Sequence, residues 1–339
     1  MSALLEVRDL TVRLRVGGTD REVITGTTLE IGEGEAMGLV GESGSGKSMT
    51  AKAIARLLPA GARVEGSVRF AGTDVLGLSG ADLRRHRAKV AVVFQDPRAH
   101  INPVRRIEDF MTESLRTLED VPRAQARTRA ADALEEVGID DPARRLRQFP
   151  HELSGGMLQR VMIATALLSQ PLLLLADECT TALDVTTQAE VMAILDDLRR
   201  DRGLSMLFIT HDLELAGAVC DRTSVMYAGQ VVETSAAHRL HADPLHPYSA
   251  ALVQARPDVT STAERLVAIP GRPVSAFEAP AGCRFAPRCP HVLDGCRGHE
   301  QTLVDLDAGR VRCERAAALR GRLLDPTESP TESEETADA

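Results

Sequence analysis

The 339 residues include 43% hydrophobic side chains but only two Tyr, seven Phe and no Trp, so any core has to be built mainly from Leu, Val, Ala, Ile and Met; the length suits two ordinary domains, or one large domain with appendages. The formal net charge is −9, yet residues 325–339 hold six carboxylates and neither Lys nor Arg, which leaves −3 on the remainder. A body this close to neutral excludes a general electrostatic footprint for DNA or RNA, and no nucleic-acid partner is expected.

In chain order, Met1 to Leu10 lacks the charged start and apolar block of a secretory signal. Leu5 to Val16 alternates apolar and polar residues, which predicts an edge strand with a slip near Arg8–Asp9. Gly17–Gly18 makes a turn into a second strand near Val23 to Ile31. Ala36 to Val40 is a short apolar strand that enters a glycine-rich turn and then a helix from about Lys47 to Leu58. Val90 to Phe94 is a further buried strand. Residues 104–148 are rich in Arg, Glu, Ala and Leu with helical periodicity, which predicts a small helical insertion. The most apolar stretch, Val161 to Ala176, contains Thr165, Ser169, Gln170 and Pro171 and is too short and too polar to span a bilayer. The chain is therefore expected to be soluble, with any membrane role exercised through partners. Strand character returns at Leu172 to Ala176, Met206 to Thr210 and Thr223 to Tyr227. Strands alternating with helices predict an α/β fold with a largely parallel sheet covered on both faces. After about Ser235 Pro becomes frequent and four of the six Cys cluster, so residues 236–324 are expected to form a separate small Cys-rich domain. The acidic tail, 325–339, has no large apolar side chain and is expected to be disordered.

Three motifs carry chemistry. Gly41-Glu42-Ser43-Gly44-Ser45-Gly46-Lys47-Ser48 fits the P-loop pattern G-x-x-x-x-G-K-[ST] between a predicted strand and a predicted helix. Its glycines let backbone N–H groups turn inward around phosphate oxygens, at the positive end of the following helix. Lys47 would reach the β- and γ-phosphates and Ser48 would ligand Mg²⁺. Leu173-Leu174-Leu175-Ala176-Asp177-Glu178 is a buried strand ending in two carboxylates. Asp177 would hold Mg²⁺ through water, and Glu178 would orient or deprotonate an attacking water; taken alone, a strand simply ending in a polar turn is a common alternative. Leu153-Ser154-Gly155-Gly156-Met157-Leu158-Gln159-Arg160 sets Ser and two Gly at a helix start, which is a second phosphate-seeking backbone or, in isolation, an ordinary Ser N-cap.

Cys283, Cys289, Cys296 and Cys313 are separated by five, six and sixteen residues. Four thiolates suit tetrahedral zinc or an iron–sulfur cluster, and free thiols are the third possibility. No paired C-x₂₋₄-C knuckle of the kind zinc favours occurs, and the wider spacing suits a bulkier cluster.

The order P-loop, LSGG, LLLLADE and Ile209-Thr210-His211-Asp212 resembles that of ABC transporter ATPases, over residues 4 to about 320. The resemblance implies a P-loop NTPase fold over residues 1–235, with an antiparallel β-subdomain and a helical subdomain at about 96–165. It implies ATP and Mg²⁺ as cofactors, with Ser48, Gln95 and Asp177 around the metal. Gln95, in Phe94-Gln95-Asp96-Pro97, resembles the residue that touches Mg²⁺ and senses the membrane subunits. His211 resembles the histidine that contacts the γ-phosphate, and with Glu178 and Gln95 it completes the catalytic set. In such proteins Leu153, Ser154, Gly155, Gly156 and Gln159 of one subunit close on the ATP held by the other, and Ala182-Leu183-Asp184 crosses the dimer interface.

Within the family, the oligopeptide/dipeptide importers resemble this chain most. Gln95-Asp96-Pro97 with Asn102-Pro103, Thr180-Thr181-Ala182-Leu183-Asp184-Val185-Thr186, His246-Pro247-Tyr248, Ile269-Pro270-Gly271 and Cys283-Arg284-Phe285-Ala286-Pro287-Arg288-Cys289-Pro290-His291 carry that likeness; nickel importers share much of it. It implies an ATPase that energises import at the cytoplasmic face of a membrane. The implied partners are a second, related ATPase subunit, two transmembrane permeases and an extracellular or periplasmic substrate-binding protein. A non-transport ABC ATPase would need a long coiled coil or two cassettes in one chain. Some relatives with this C-terminal pattern carry a 4Fe–4S cluster, which favours that cofactor over Zn²⁺. Two positions depart from the family: Leu14 stands where an aromatic usually stacks on adenine, and Cys179 replaces the Pro that usually follows the catalytic Glu. Beside Glu178, Cys179 is a candidate for thiol modification unless it is buried and inert.

Overall fold

A computed structural model describes residues 3–180, 183–255, 268–307 and 309–325. Most of the tail at 326–339 lies outside the described residues, as do Thr181 and Ala182 of the interface motif.

Two sheets organise the chain. The first is antiparallel, in the order β2-β1-β4-β5, with β1 at Ala3–Val16, β2 at Thr19–Gly32, β4 at Arg63–Phe70 and β5 at Thr73–Asp74. The slip expected near Arg8–Asp9 is present. Asp9 takes φ 48°, and the register of β1 jumps between Val7 and Leu10 against β2 and between Arg8 and Thr11 against β4. The extra residue switches the inward parity of the strand, so that Leu5 and Val7 before it and Leu10 and Val12 after it are all buried in one cluster.

The second sheet has eight strands in the order β11-β12-β10-β9-β3-β8-β7-β6. Its centre is parallel: β9 at Arg222–Tyr227, β3 at Ala36–Val40, β8 at Ser205–Thr210, β7 at Leu173–Asp177 and β6 at Val90–Val93. These strands read as near-continuous apolar runs because both of their faces are covered. The chemistry-bearing segments leave their C-terminal ends: the glycine-rich turn after β3, Gln95 after β6, Glu178 after β7 and His211 after β8.

The helical insertion is observed as Ile107–Leu118, Arg123–Glu136 and Pro142–Arg145. Ile107, Met111 and Leu115 form an i, i+4, i+8 stripe, and Ala126, Ala130, Ala133 and Leu134 share its core. No helix among the described residues is long and apolar enough to cross a membrane.

The residues expected to form a small C-terminal domain are joined to the central sheet. After β10 (Gln230–Ala236), the chain returns as β11 (Val304–Leu306) and β12 (Gly309–Val311). β12 pairs antiparallel with β10, Glu233 opposite Val311 and Thr234 opposite Arg310, and so extends the central sheet. Tyr248 and Phe285 enter the same core cluster as Val40, Val225 and Tyr227 of the central strands. The shift in composition after Ser235 therefore marks no break in packing.

Candidate nucleotide site

The turn after β3 is shaped by backbone that only glycine adopts easily. Gly41 has φ 150°, and a Cβ there would lie 2.1 Å from the Met226 carbonyl oxygen; Gly46 has φ 108°, and its Cβ would lie 2.8 Å from Met226 Cε and 3.0 Å from the Val23 carbonyl oxygen. The loop then opens the helix Lys47–Ile54. Lys47 is 4% exposed, and its Nζ donates to the carbonyls of Gly41 (2.8 Å) and Glu42 (3.1 Å). Burial lowers its pKa, opposed by the carboxylates of Glu178, Asp177 and Glu42. Ser48 Oγ donates to Asp177 Oδ1 at 2.8 Å. Burial raises the Asp177 pKa, and the Ser48 hydrogen bond counters part of the rise.

Glu178 is the hub. It sits at φ 48°, a left-handed conformation that costs a non-glycine residue roughly 1–2 kcal/mol. Its N–H donates to the Ile209 carbonyl of β8 at 2.9 Å, which holds the bend. Gln95 Nε2 donates to its Oε2 at 3.1 Å, Lys47 Nζ lies 3.8 Å from Oε1, and His211 Nδ1 lies 3.9 Å from Oε2. Gln95, Lys47, Ser48 and Glu178 line one cavity of about 440 Å³ together with Ser43, Gly44 and Gly46. All the residues expected around the γ-phosphate thus meet within one side chain of Glu178.

The LSGG segment is elsewhere. Ser154 caps the helix Gly155–Leu167, its side chain accepting from the Met157 N–H at 3.3 Å. Ser154, Gly155 and Gly156 line a second cavity with Leu183, Asp184 and Thr187. A Cβ on Gly156 would come 2.6 Å from Thr187 Cγ2, so a larger residue there would have to displace the Thr187 side chain. Asp184 caps the helix Val185–Arg202 and accepts from Thr187 N (3.0 Å) and Oγ1 (2.8 Å), which lowers its pKa. Leu153 and Gln159, expected at the same surface, are instead 4% and 1% exposed and pack inside. Ala182 lies outside the described residues.

The Glu42 carboxylate is held by Arg288 (Nη1–Oε2 2.6 Å, Nη2–Oε1 3.1 Å), and Tyr248 Oη accepts from the Glu42 N–H at 2.9 Å. Cys179 is 1% exposed, and burial pushes its thiol up to about 12, so it is the inert alternative and not a labelling site. Sequence reasoning missed Tyr248 and Arg288 as supports of the loop. Both stand in the His246-Pro247-Tyr248 and Cys283–His291 segments, whose likeness had marked the branch of the family without assigning them a contact. Leu14 packs with the core of the antiparallel sheet and does not line the nucleotide cavity.

The four clustered cysteines are free and share one small cavity with His246. His246 is 1% exposed, its Nε2 has no hydrogen-bond partner among the described residues, and burial depresses its pKa to about 3. This donor set, with an orphaned ring nitrogen, is chemically suited to a metal. The spacing is not: among the described residues no group of three or more His, Cys, Asp or Glu is placed to hold one ion. The cavity is about 10 Å³, room for about one water. Burial raises all four thiols, Cys289 to about 12 and Cys313 to about 11.

Comparison with known proteins agrees with the geometry. Residues 24–181 match the family described as ABC transporter, and residues 232–296 match the oligopeptide/dipeptide transporter C-terminal region. The Escherichia coli oligopeptide transport ATP-binding protein OppD is 40% identical over 311 residues, covering 91% of this chain and 92% of that one. Its Mycobacterium bovis namesake is 44% identical over 326 residues; this chain spans about half of that relative's length, 53%. Among solved structures, an ATP-binding cassette dimer with ADP and Pi bound, in a post-hydrolysis state, superposes with a TM-score of 0.61 at 28% identity, covering 69% of this chain and 98% of that one. The chain belongs to the ATP-binding proteins of ABC transporters, in the branch that carries the oligopeptide/dipeptide transporter C-terminal region.

Proposed function

We propose that this chain binds Mg–ATP at the glycine-rich turn, hydrolyses it as one of a pair of cassettes, and so energises an importer of di- or oligopeptides. The observation that carries the reading is that one chain holds two separate half-sites. One has the phosphate loop with Glu178; the other has Ser154, Gly155, Gly156 and Asp184. Neither completes the other within the chain, and two chains arranged head to tail would join them.

In this reading Lys47 and the loop N–H groups bind the β- and γ-phosphates. Ser48, Gln95 and Asp177 would hold Mg²⁺, whose chemistry is to neutralise the phosphate charge. Glu178 Oε2, positioned by Gln95, accepts a proton from the water that attacks the γ-phosphorus. The bond to the bridging oxygen breaks, and ADP and inorganic phosphate leave. His211 steadies the γ-phosphate. The mate is proposed to be a related cassette. The remaining partners are two permeases, contacted through the region around Gln95, and an external substrate-binding protein. The working location is the cytoplasmic face of a membrane, peripherally attached. A nickel or other small-solute importer is the alternative, and a non-transport ABC ATPase a more distant one.

Ser154→Arg tests the composite site. ATP affinity of the isolated chain is expected to stay within about twofold, because Ser154 is not in its own pocket, while turnover of the assembled pair falls by about 10²-fold or more, the scale for losing a phosphate-stabilising element. Equilibrium binding and phosphate release read the two; equal loss in both would reject the division into half-sites.

For Cys283, Cys289, Cys296 and Cys313 the proposed ligand is a 4Fe–4S cluster, with Zn²⁺ the alternative. Four unpaired thiols and one orphaned nitrogen around a single cavity support it, and the side chains would have to part to admit it. Anaerobically purified protein should be brown, with about four irons per chain. One zinc and no iron would select the alternative, and no metal would leave four structural thiols.

A further inference from the structure

The cavity that holds the phosphate loop has a second, unassigned lining. Besides Ser43 to Ser48, Gln95 and Glu178, it is bounded by Val23, Met49 and the run Ser275, Ala276 and Phe277. Phe277 is 46% exposed, in a chain with only seven Phe. The ring is thus half exposed at the edge of the phosphate-binding cavity.

The ring is placed, not loose. Glu278 N–H donates to the Ser275 carbonyl at 3.0 Å and Ser275 Oγ to Glu278 Oε2 at 2.6 Å, closing a turn around Phe277. Ala276, 7% exposed, packs so tightly on Gly229 that a Cβ there would lie 2.6 Å from its own. The Gly229 N–H donates to the Ser45 carbonyl at 2.8 Å. The turn is therefore fixed to the phosphate loop through one glycine. The Arg21 guanidinium lies 4.8 Å from the Phe277 ring centroid, a cation–π contact that braces the ring. Arg21 pairs across the ladder with Leu14, whose half-buried side chain packs against the core of the antiparallel sheet.

We propose that Phe277, braced by Arg21, is the nucleobase platform of the site, stacking on the purine of the bound triphosphate. This rests on the ATP reading above and adds to it the residue that binds the base. It assigns to a C-terminal turn the stacking role that Leu14 does not fill, and it gives residues 275–278 a direct part in nucleotide binding.

The test compares ATP with inorganic triphosphate, which has the phosphates and no base, on the full chain. Phe277→Ala should weaken ATP binding by about 5- to 150-fold, the range of base–aromatic stacking, and leave triphosphate binding within about twofold. Phe277→Tyr should restore ATP affinity. Because the chain has no Trp, Phe277→Trp installs a single reporter, whose fluorescence ATP should change and triphosphate should not. Unchanged ATP affinity in Phe277→Ala would overturn the proposal and leave the ring free for a protein partner. Equal losses for both ligands would also overturn it, because they would mean a structural role. If the unaltered chain bound triphosphate but gained nothing from the base, only this proposal would fall. If it bound neither, the ATP reading would fall with it.

Discussion

Glu178→Gln should keep ATP bound and lose turnover by about 10²–10⁴-fold, the usual contribution of a positioned general base. The amide is close to the carboxylate in shape, so the bend at φ 48° and the N–H bond to Ile209 are undisturbed. The amide oxygen can still accept from Gln95. What disappears is the capacity to take a proton at the point where Gln95, Lys47 and His211 converge. Phosphate affinity should survive, because in the proposed reading it comes from Lys47 and the backbone N–H groups of the loop. Steady-state phosphate release beside equilibrium ATP binding measures both. Turnover near normal would move the base to another residue.

Arg288→Ala should destabilise the fold by about 2–4 kcal/mol and weaken ATP binding with it. The Arg288 side chain is 3% exposed and donates through Nε to the Pro270 carbonyl at 2.6 Å while both terminal nitrogens hold Glu42. Breaking a buried ion pair commonly costs 3–5 kcal/mol, because one charge is left without compensation. The figure is reduced here because the Glu42 side chain keeps 21% of its exposure and can be partly rehydrated. The loss reaches the nucleotide because Glu42 follows Gly41, and Lys47 bonds the carbonyls of both. Arg288→Lys should fall between, since an ammonium cannot make the forked contact. Denaturant unfolding and ATP binding on the same variants check this; full stability and full affinity in Arg288→Ala would show the clamp to be idle. Arg288 lies one residue before Cys289, so any group held by that thiol sits next to a support of the phosphate loop.

The parallel strands were legible because a sheet covered on both faces needs continuous apolar runs, and β3, β7 and β8 are such runs. The slip in β1 was legible because the inward parity of its apolar residues changes at Asp9. β4 was hidden by Gly66, which breaks its alternation, and β10 by the polar residues it buries, Glu233 and Ser235 among them. Glu233 is tolerable inside because it accepts from Leu245 N, His246 N and Ser235 Oγ, partners that local sequence does not announce. The site followed the same division. Gly41 to Ser48, Asp177 and Glu178 are contiguous motifs whose backbone and strand context fix their position. Arg288 and Tyr248 act 246 and 206 residues from Glu42, and Phe277 across a comparable span from Val23, so only the folded chain brings them to the pocket. The joining of residues 236–324 to the central sheet was not legible, because composition changes at Ser235 while β12 pairs with β10.

The central claim, that this cassette drives peptide import, is tested most directly by uptake into membrane vesicles carrying the chain with its co-expressed permeases and binding protein. Labelled oligopeptide should accumulate only with ATP inside the reach of the cassettes, and Glu178→Gln should abolish accumulation. Uptake of nickel with no uptake of peptide, or peptide uptake unaffected by Glu178→Gln, would contradict it.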